Sequence, residues 1–236
     1  MTKQIKQIQL PRIKGFIETS FVDWDGRVSA VVFLPGCNFD CPFCHNTELC
    51  KQPETLETVP LLLILEKLSD LKNWVDGVVI TGGEPTLHPA LPELIRAIKK
   101  SNIDVKIDTN GSRPSVISSL IEEHLIDGIA MDIKAPLVAD AYNRLTGVDT
   151  DMTRISRSIK IISRSSIWKQ FRTTVIPEWH NWKDIETIVN SIRMTGASFK
   201  LQGYRPPETP PPVLENTPAF DPDTLKEWQQ KANQLV

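Results

Sequence analysis

The chain predicts a single α/β domain: a partial (β/α)6 TIM-like barrel with parallel strands. Two observations carry this expectation. Short apolar runs alternate with segments of helical period, giving six β–α units in series. The runs are also too continuously apolar to alternate, as expected of strands in a parallel sheet covered by helices. Right-handed crossovers then give an open sheet or a barrel. Six units fall two short of a full eight-stranded barrel.

The elements follow in order. Val28 to Leu34 reads as a buried strand, followed by a cysteine-bearing loop over 35–50. Leucines fall on one face from Val59 to Trp74, which predicts a helix. Gly77 to Thr81 is the next strand, and Leu91 to Lys100 a helix with basic residues in its last turn, as the helix dipole favours. Ile103 to Asp108 and Gly128 to Ile133 are strands separated by a helix over Ser115 to His124. A helix from Thr153 to Ser163 precedes a strand at Phe171 to Ile176. A helix from Ile185 to Met194 then leads to a last strand at Ser198 to Gln202. Proline-rich Arg205 to Pro222 is an extended connector to a terminal helix at Asp223 to Leu235. Residues 1–204 form the barrel unit, and 205–236 pack on the same domain.

The 236 residues carry a formal charge of −2, which offers no broad nucleic-acid footprint. No apolar run approaches the roughly 18 residues of a membrane span, and the polar N-terminus has no secretory core. The expected location is the cytoplasm. All four cysteines lie between Cys37 and Cys50. In a reducing compartment such clustering points to metal or redox chemistry more than to disulfides.

The motif is Cys37-Asn-Phe-Asp-Cys41-Pro-Phe-Cys44. Three thiolates at these spacings can converge on one inorganic centre. A four-iron cube held by three cysteines leaves one iron open, whereas electron carriers fill all four positions. Zinc on Cys37, Cys41, Cys44 and His45, or a closed site with Cys50 as fourth ligand, also satisfies the spacing. Thr81-Gly82-Gly83-Glu84-Pro85, Asp108-Thr109-Asn110-Gly111 and Asp132-Ile133-Lys134 each close a strand, where parallel barrels build their sites. Thr173 to Pro177 and Gln202 to Pro206 obey the same rule, so Thr174 and Arg205 are candidates for closing the mouth. Taken singly, a Gly-Gly pair, an Asn-Gly turn or an Asp–Lys pair is ordinary. His88, His124 and His180 are scattered and read as structural, the six tryptophans as packing anchors, and Cys50 as a small apolar filler.

Together these motifs resemble the radical S-adenosylmethionine (SAM) superfamily. The resemblance implies a [4Fe–4S] cluster on Cys37, Cys41 and Cys44 with SAM at the open iron. It places Phe43 and His45 along the adenine, Gly82, Gly83 and Glu84 at the methionine amino group, and Asp108, Asp132 and Lys134 at the ribose and methionine carboxylate. Gly15-Phe16, Ser20, Asp23-Trp24, Gly26, Val31 to Leu34 and Cys44-His45-Asn46 are similar to activating proteins of anaerobic ribonucleoside-triphosphate reductase. Thr47, where proline is usual, and Pro35, where glutamine is common, depart from that pattern. The resemblance implies reductive cleavage of SAM to a 5′-deoxyadenosyl radical and a glycyl radical on a partner enzyme. It also implies a one-electron donor such as flavodoxin or ferredoxin, with neither nucleic acid nor membrane as partner.

Overall fold

Every strand hydrogen-bonds to the next in chain order, giving one seven-stranded sheet β1-β2-β3-β4-β5-β6-β7. The computed structural model describes residues 10–193 and 195–236. The polar N-terminal stretch and Met194, the end of one expected helix, lie outside them. The strands are β1 (Gly15–Ser20), β2 (Ser29–Leu34), β3 (Gly77–Gly82), β4 (Asp104–Thr109), β5 (Gly128–Asp132), β6 (Trp168–Val175) and β7 (Ser198–Gly203). The helices are α1 (Thr47–Lys51), α2 (Leu61–Asp70), α3 (Leu91–Lys99), α4 (Pro114–Glu122), α5 (Ala139–Thr146), α6 (Met152–Arg164), α7 (Trp182–Ile192) and α8 (Pro222–Asn233). Strands β2 to β7 are parallel. No reversal of strand order occurs, so crossovers of one hand put the helices on one face and curl the sheet into a partial barrel.

Three elements go beyond the six expected units, one of them helix α1 within the cysteine loop. Strand β1 pairs antiparallel with β2 and carries an irregularity between Ile17 and Ser20. Its pattern is half exposed, as an edge strand allows, so it lacks the apolar run that marks the others. Helix α5 is short and polar, and ends at Gly147 in the left-handed conformation (φ 70°).

The two sheet faces differ. Val32, Ile80, Ile107, Ile129 and Phe171 belong to the large core packed under the helices. Trp24, Val31 and Val79 form a smaller cluster apart from it. Trp24 is fully buried, and a Cβ at Gly77 or Gly128 would stand 2.6 or 2.8 Å from its ring. Glycine at the first position of β3 and of β5 therefore makes room for the indole. In the same turn, Asp25 pairs with Lys200 at 2.5 Å and accepts from Gln170 Nε2 at 2.7 Å. That ties the β1–β2 connection to β6 and β7. At the far edge, the Gln229 side chain of α8 accepts from Leu201 N–H (2.7 Å) and donates to the Phe199 carbonyl (2.9 Å). A side-chain amide thus covers backbone groups that an edge strand leaves unpaired.

Candidate active site

The carboxyl ends of the strands surround a cavity of about 650 Å³. Its roof is the loop after β2. Backbone pairs hold this loop: Gly36 N–H donates to Leu49 O (3.1 Å), Glu84 N–H to Gly36 O (2.8 Å) and Asp40 N–H to Thr146 O (2.7 Å). Asn46 Nδ2 donates to Gly82 O (3.0 Å), and His88 Nε2 bonds Pro35 O (2.9 Å). His88, read from sequence as structural, is thus a brace for the loop.

Cys37, Cys41, Cys44 and Cys50 all line this cavity. The last is a departure from expectation. Cys50 is half-buried, and its thiol lines the cavity beside Cys37 and Cys44. That proximity, outweighing burial, draws the Cys44 thiol down to about 6 and Cys37 below the ordinary thiol range. Cys41 is pushed up to about 11, mainly by burial. Cys37 Sγ also accepts from Phe39 N–H (3.4 Å) and Asn110 Nδ2 (3.8 Å). Donors aimed at sulfur favour the thiolate, the form that binds metal. Among the described residues no three His, Cys, Asp or Glu side chains could hold a single metal ion. A polynuclear centre spreads its ligands more widely than one tetrahedral ion, and a soft thiol set around a roomy cavity fits an iron–sulfur cube.

Phe43, His45, Gly82, Gly83, Asp108, Asp132 and Lys134 all line the same cavity. Phe43 is buried, with Lys134 Nζ 5.7 Å from its ring centroid. Glu84 is the exception and corrects the expected carboxylate contact. It is fully buried and lies outside the cavity lining. Its carboxylate accepts from Asn110 N–H (2.6 Å), Thr109 Oγ1 (2.8 Å), Thr86 N–H (3.1 Å) and Thr86 Oγ1. It fastens the β4 loop to the β3 loop, with three of these bonds on Oε1 and one on Oε2. Burial pushes its carboxyl above the usual range despite these donors.

Across the strand ends runs an alternating charge array. Lys106 Nζ meets Asp108 (2.6 Å), Arg172 meets Asp108 (3.1 Å) and Asp132 (2.8 Å), and Lys134 meets Asp132 (3.0 Å). Burial works against Asp132 ionisation, but Arg172 and Lys134 outweigh it and hold the carboxyl well below the usual range. Asp132 in turn overcomes burial and holds Lys134 charged. His180 accepts Ile176 N–H at Nδ1 (3.2 Å), so its Nε2 is the donor to Lys134 O (2.9 Å) and fixes that backbone. Arg172 and Lys106 were not singled out from sequence. The alternation in Asp104-Val-Lys106-Ile-Asp108 was the signal that one strand face is polar. Thr174 and Arg205 also reach the cavity wall.

Fold and site define a cofactor-dependent enzyme built on a partial barrel with a thiol-lined mouth. The model of the family "Radical SAM superfamily" matches residues 31–192. The chain belongs to the radical SAM superfamily, and its cofactors are a [4Fe–4S] cluster and SAM. A Methanocaldococcus jannaschii protein, provisionally named a glycyl-radical enzyme activating enzyme, is 30% identical over 95% of this chain and 92% of its own length. A Metallosphaera sedula protein provisionally named GTP 3′,8-cyclase is 33% identical over 52% of this chain, which spans only 38% of that protein. Among solved structures, Streptococcus suis SuiB superposes with a TM-score of 0.66 at 18% identity, over 85% of this chain and 44% of SuiB. TYW1 with a lysine-pyruvate adduct bound gives 0.61 at 18% identity, over 87% of this chain and 73% of TYW1. At such identities the likeness shows the fold. No described helix is long and apolar enough to cross a membrane.

Proposed function

We propose that this chain is an activase that installs a glycyl radical on a partner enzyme, anaerobic ribonucleoside-triphosphate reductase being the partner of the activating proteins that its N-terminal and cysteine-loop sequence resembles. The observation that carries the reading is the match to the M. jannaschii activating-enzyme relative over 92% of that protein's length. When bound, the cluster supplies the electron that cleaves SAM to methionine and a 5′-deoxyadenosyl radical, which removes a Cα hydrogen from a glycine.

In this reading the protein positions and shields. Cys37, Cys41 and Cys44 would hold the cluster through their thiolates, beside the cavity that would take SAM. Phe43 and His45 offer the adenine a wall. The backbones of Gly82 and Gly83 approach the methionine amino group, while Glu84 acts indirectly by holding that turn. Lys134 offers a charge-assisted partner to the methionine carboxylate, and Asp108 and Asp132 face the ribose. A flavodoxin or ferredoxin in the cytoplasm supplies the electron. Residues 1–204 carry this machinery, with 205–236 as a strap over the last strand.

The test is anaerobic. Reconstituted protein, SAM and dithionite are mixed with candidate glycyl radical enzymes and followed by EPR. A glycyl doublet together with 5′-deoxyadenosine is expected with the reductase. SAM cleavage without a doublet on the reductase or on a pyruvate formate-lyase type partner would move the reading to another substrate, and zinc in oxygen-free protein would end it.

A further inference from the structure

Arg172 is a buried cation in the cavity wall that the reading above does not use. It stands on β6 in register with Asp132 of β5. Its Nε donates to Asp132 Oδ1 (2.8 Å) and its Nη1 to Asp108 Oδ2 (3.1 Å). The second oxygen of each carboxylate is taken as well, Asp108 Oδ1 by Lys106 Nζ (2.6 Å) and Asp132 Oδ2 by Lys134 Nζ (3.0 Å). One guanidinium therefore ties the ends of three strands, and its side chain is only 12% exposed.

Charge counting gives this bridge a consequence. Three cations face two carboxylates, so the array keeps one positive charge over. Without Arg172 the count is even, and Asp132, left with an unpaired oxygen, competes for the ammonium of Lys134. A carboxylate-bearing ligand would then meet a Lys134 ammonium more fully shared with Asp132. Lysine cannot replace the arginine fully, because a point charge serves one carboxylate whereas the planar fork reaches both.

We infer that Arg172 is a positioning residue: by clamping Asp108 and Asp132 it leaves Lys134 available to the carboxylate of SAM. This rests on the SAM site proposed above, and the experiment separates the two. Arg172→Gln and Arg172→Lys proteins are reconstituted anaerobically beside wild type. Iron and sulfide content, SAM affinity by equilibrium dialysis and the rate of 5′-deoxyadenosine release are measured for each. Arg172→Gln is expected to keep its cluster and to weaken SAM binding by roughly tenfold or more. Arg172→Lys should fall between, and added guanidinium ion should restore part of the affinity of Arg172→Gln. Affinity equal to wild type in Arg172→Gln, or a loss that neither guanidinium nor lysine relieves, overturns the inference. If Arg172→Gln does not fold, Arg172→Lys decides: wild-type SAM affinity there overturns it, and a weakened affinity with an intact cluster supports it. A wild-type protein with its cluster but no SAM affinity refutes the SAM site itself.

Discussion

Replacing Gly83 with alanine tests the join between the β3 turn and the cysteine loop. A Cβ on Gly83 would stand 1.9 Å from the Gly36 carbonyl oxygen and 2.6 Å from its carbon. Real Cβ contacts essentially never fall below 3.0 Å, and the obstacle is backbone, which cannot swing aside. The same Gly36 oxygen accepts from Glu84 N–H at 2.8 Å, and Gly83 N–H itself donates to Leu34 O at 2.8 Å. Relief of the clash therefore drags the loop away from the β3 turn and strains at least one of these bonds. Overpacking costs about 1–3 kcal/mol, and one hydrogen bond adds about 0.5–1.5 kcal/mol, so a loss of roughly 2–4 kcal/mol is expected. For a domain of this size about 1 kcal/mol moves Tm by 2–4 °C, which puts the drop at roughly 4–16 °C. Thermal unfolding of the cluster-free protein measures it, and iron content after reconstitution reports the loop, since Gly36 adjoins Cys37. A Gly83→Ala protein with wild-type Tm and full iron would refute the argument.

Other substitutions probe the remaining parts. Alanine at Cys37, Cys41 or Cys44 should abolish cluster binding and SAM cleavage, whereas Cys50→Ala should keep both; iron analysis and EPR decide, and cluster loss with Cys50 would revise the ligand set. Lys134→Ala should retain the cluster while weakening SAM by about 1.5–3 kcal/mol, or roughly 10- to 150-fold, and an unchanged Kd removes Lys134 from the site. Asp132 titrates below its unfolded value of about 3.9 because Arg172 and Lys134 outweigh burial. Its stabilisation is therefore present at neutral pH and lost as pH falls through the folded value. Urea midpoints from pH 7 down to about pH 3 should show a shallower acid limb for Asp132→Asn than for wild type; equal limbs would contradict the ion-pair assignment.

The expected strands were visible because parallel strands buried on both faces read as apolar runs. The site was visible wherever a motif closes such a run: the cysteine loop, Gly82-Gly83, Asp108, and the Asp132–Lys134 pair. Edge strand β1 escaped because it is half exposed and pairs on one side only. Glu84 was legible as a residue but not in its direction. Its carboxylate turns inward because the Thr109-Asn110 backbone and hydroxyl arrive from another strand to receive it. Cys50 was set aside for want of a motif, yet α1 brings its thiol to Cys37 and Cys44.

What the amino-acid order determined by itself was the set of elements and the chemistry carried at their ends, since apolar period and short cysteine spacings are local properties of the chain. What only the tertiary structure decided was which charges neutralise which. Lys106, Asp108, Asp132, Lys134 and Arg172 come from three strands and the residues just beyond, and they meet through the lateral register of a parallel sheet. No local pattern encodes that register; it is set by how the whole sheet packs beneath its helices.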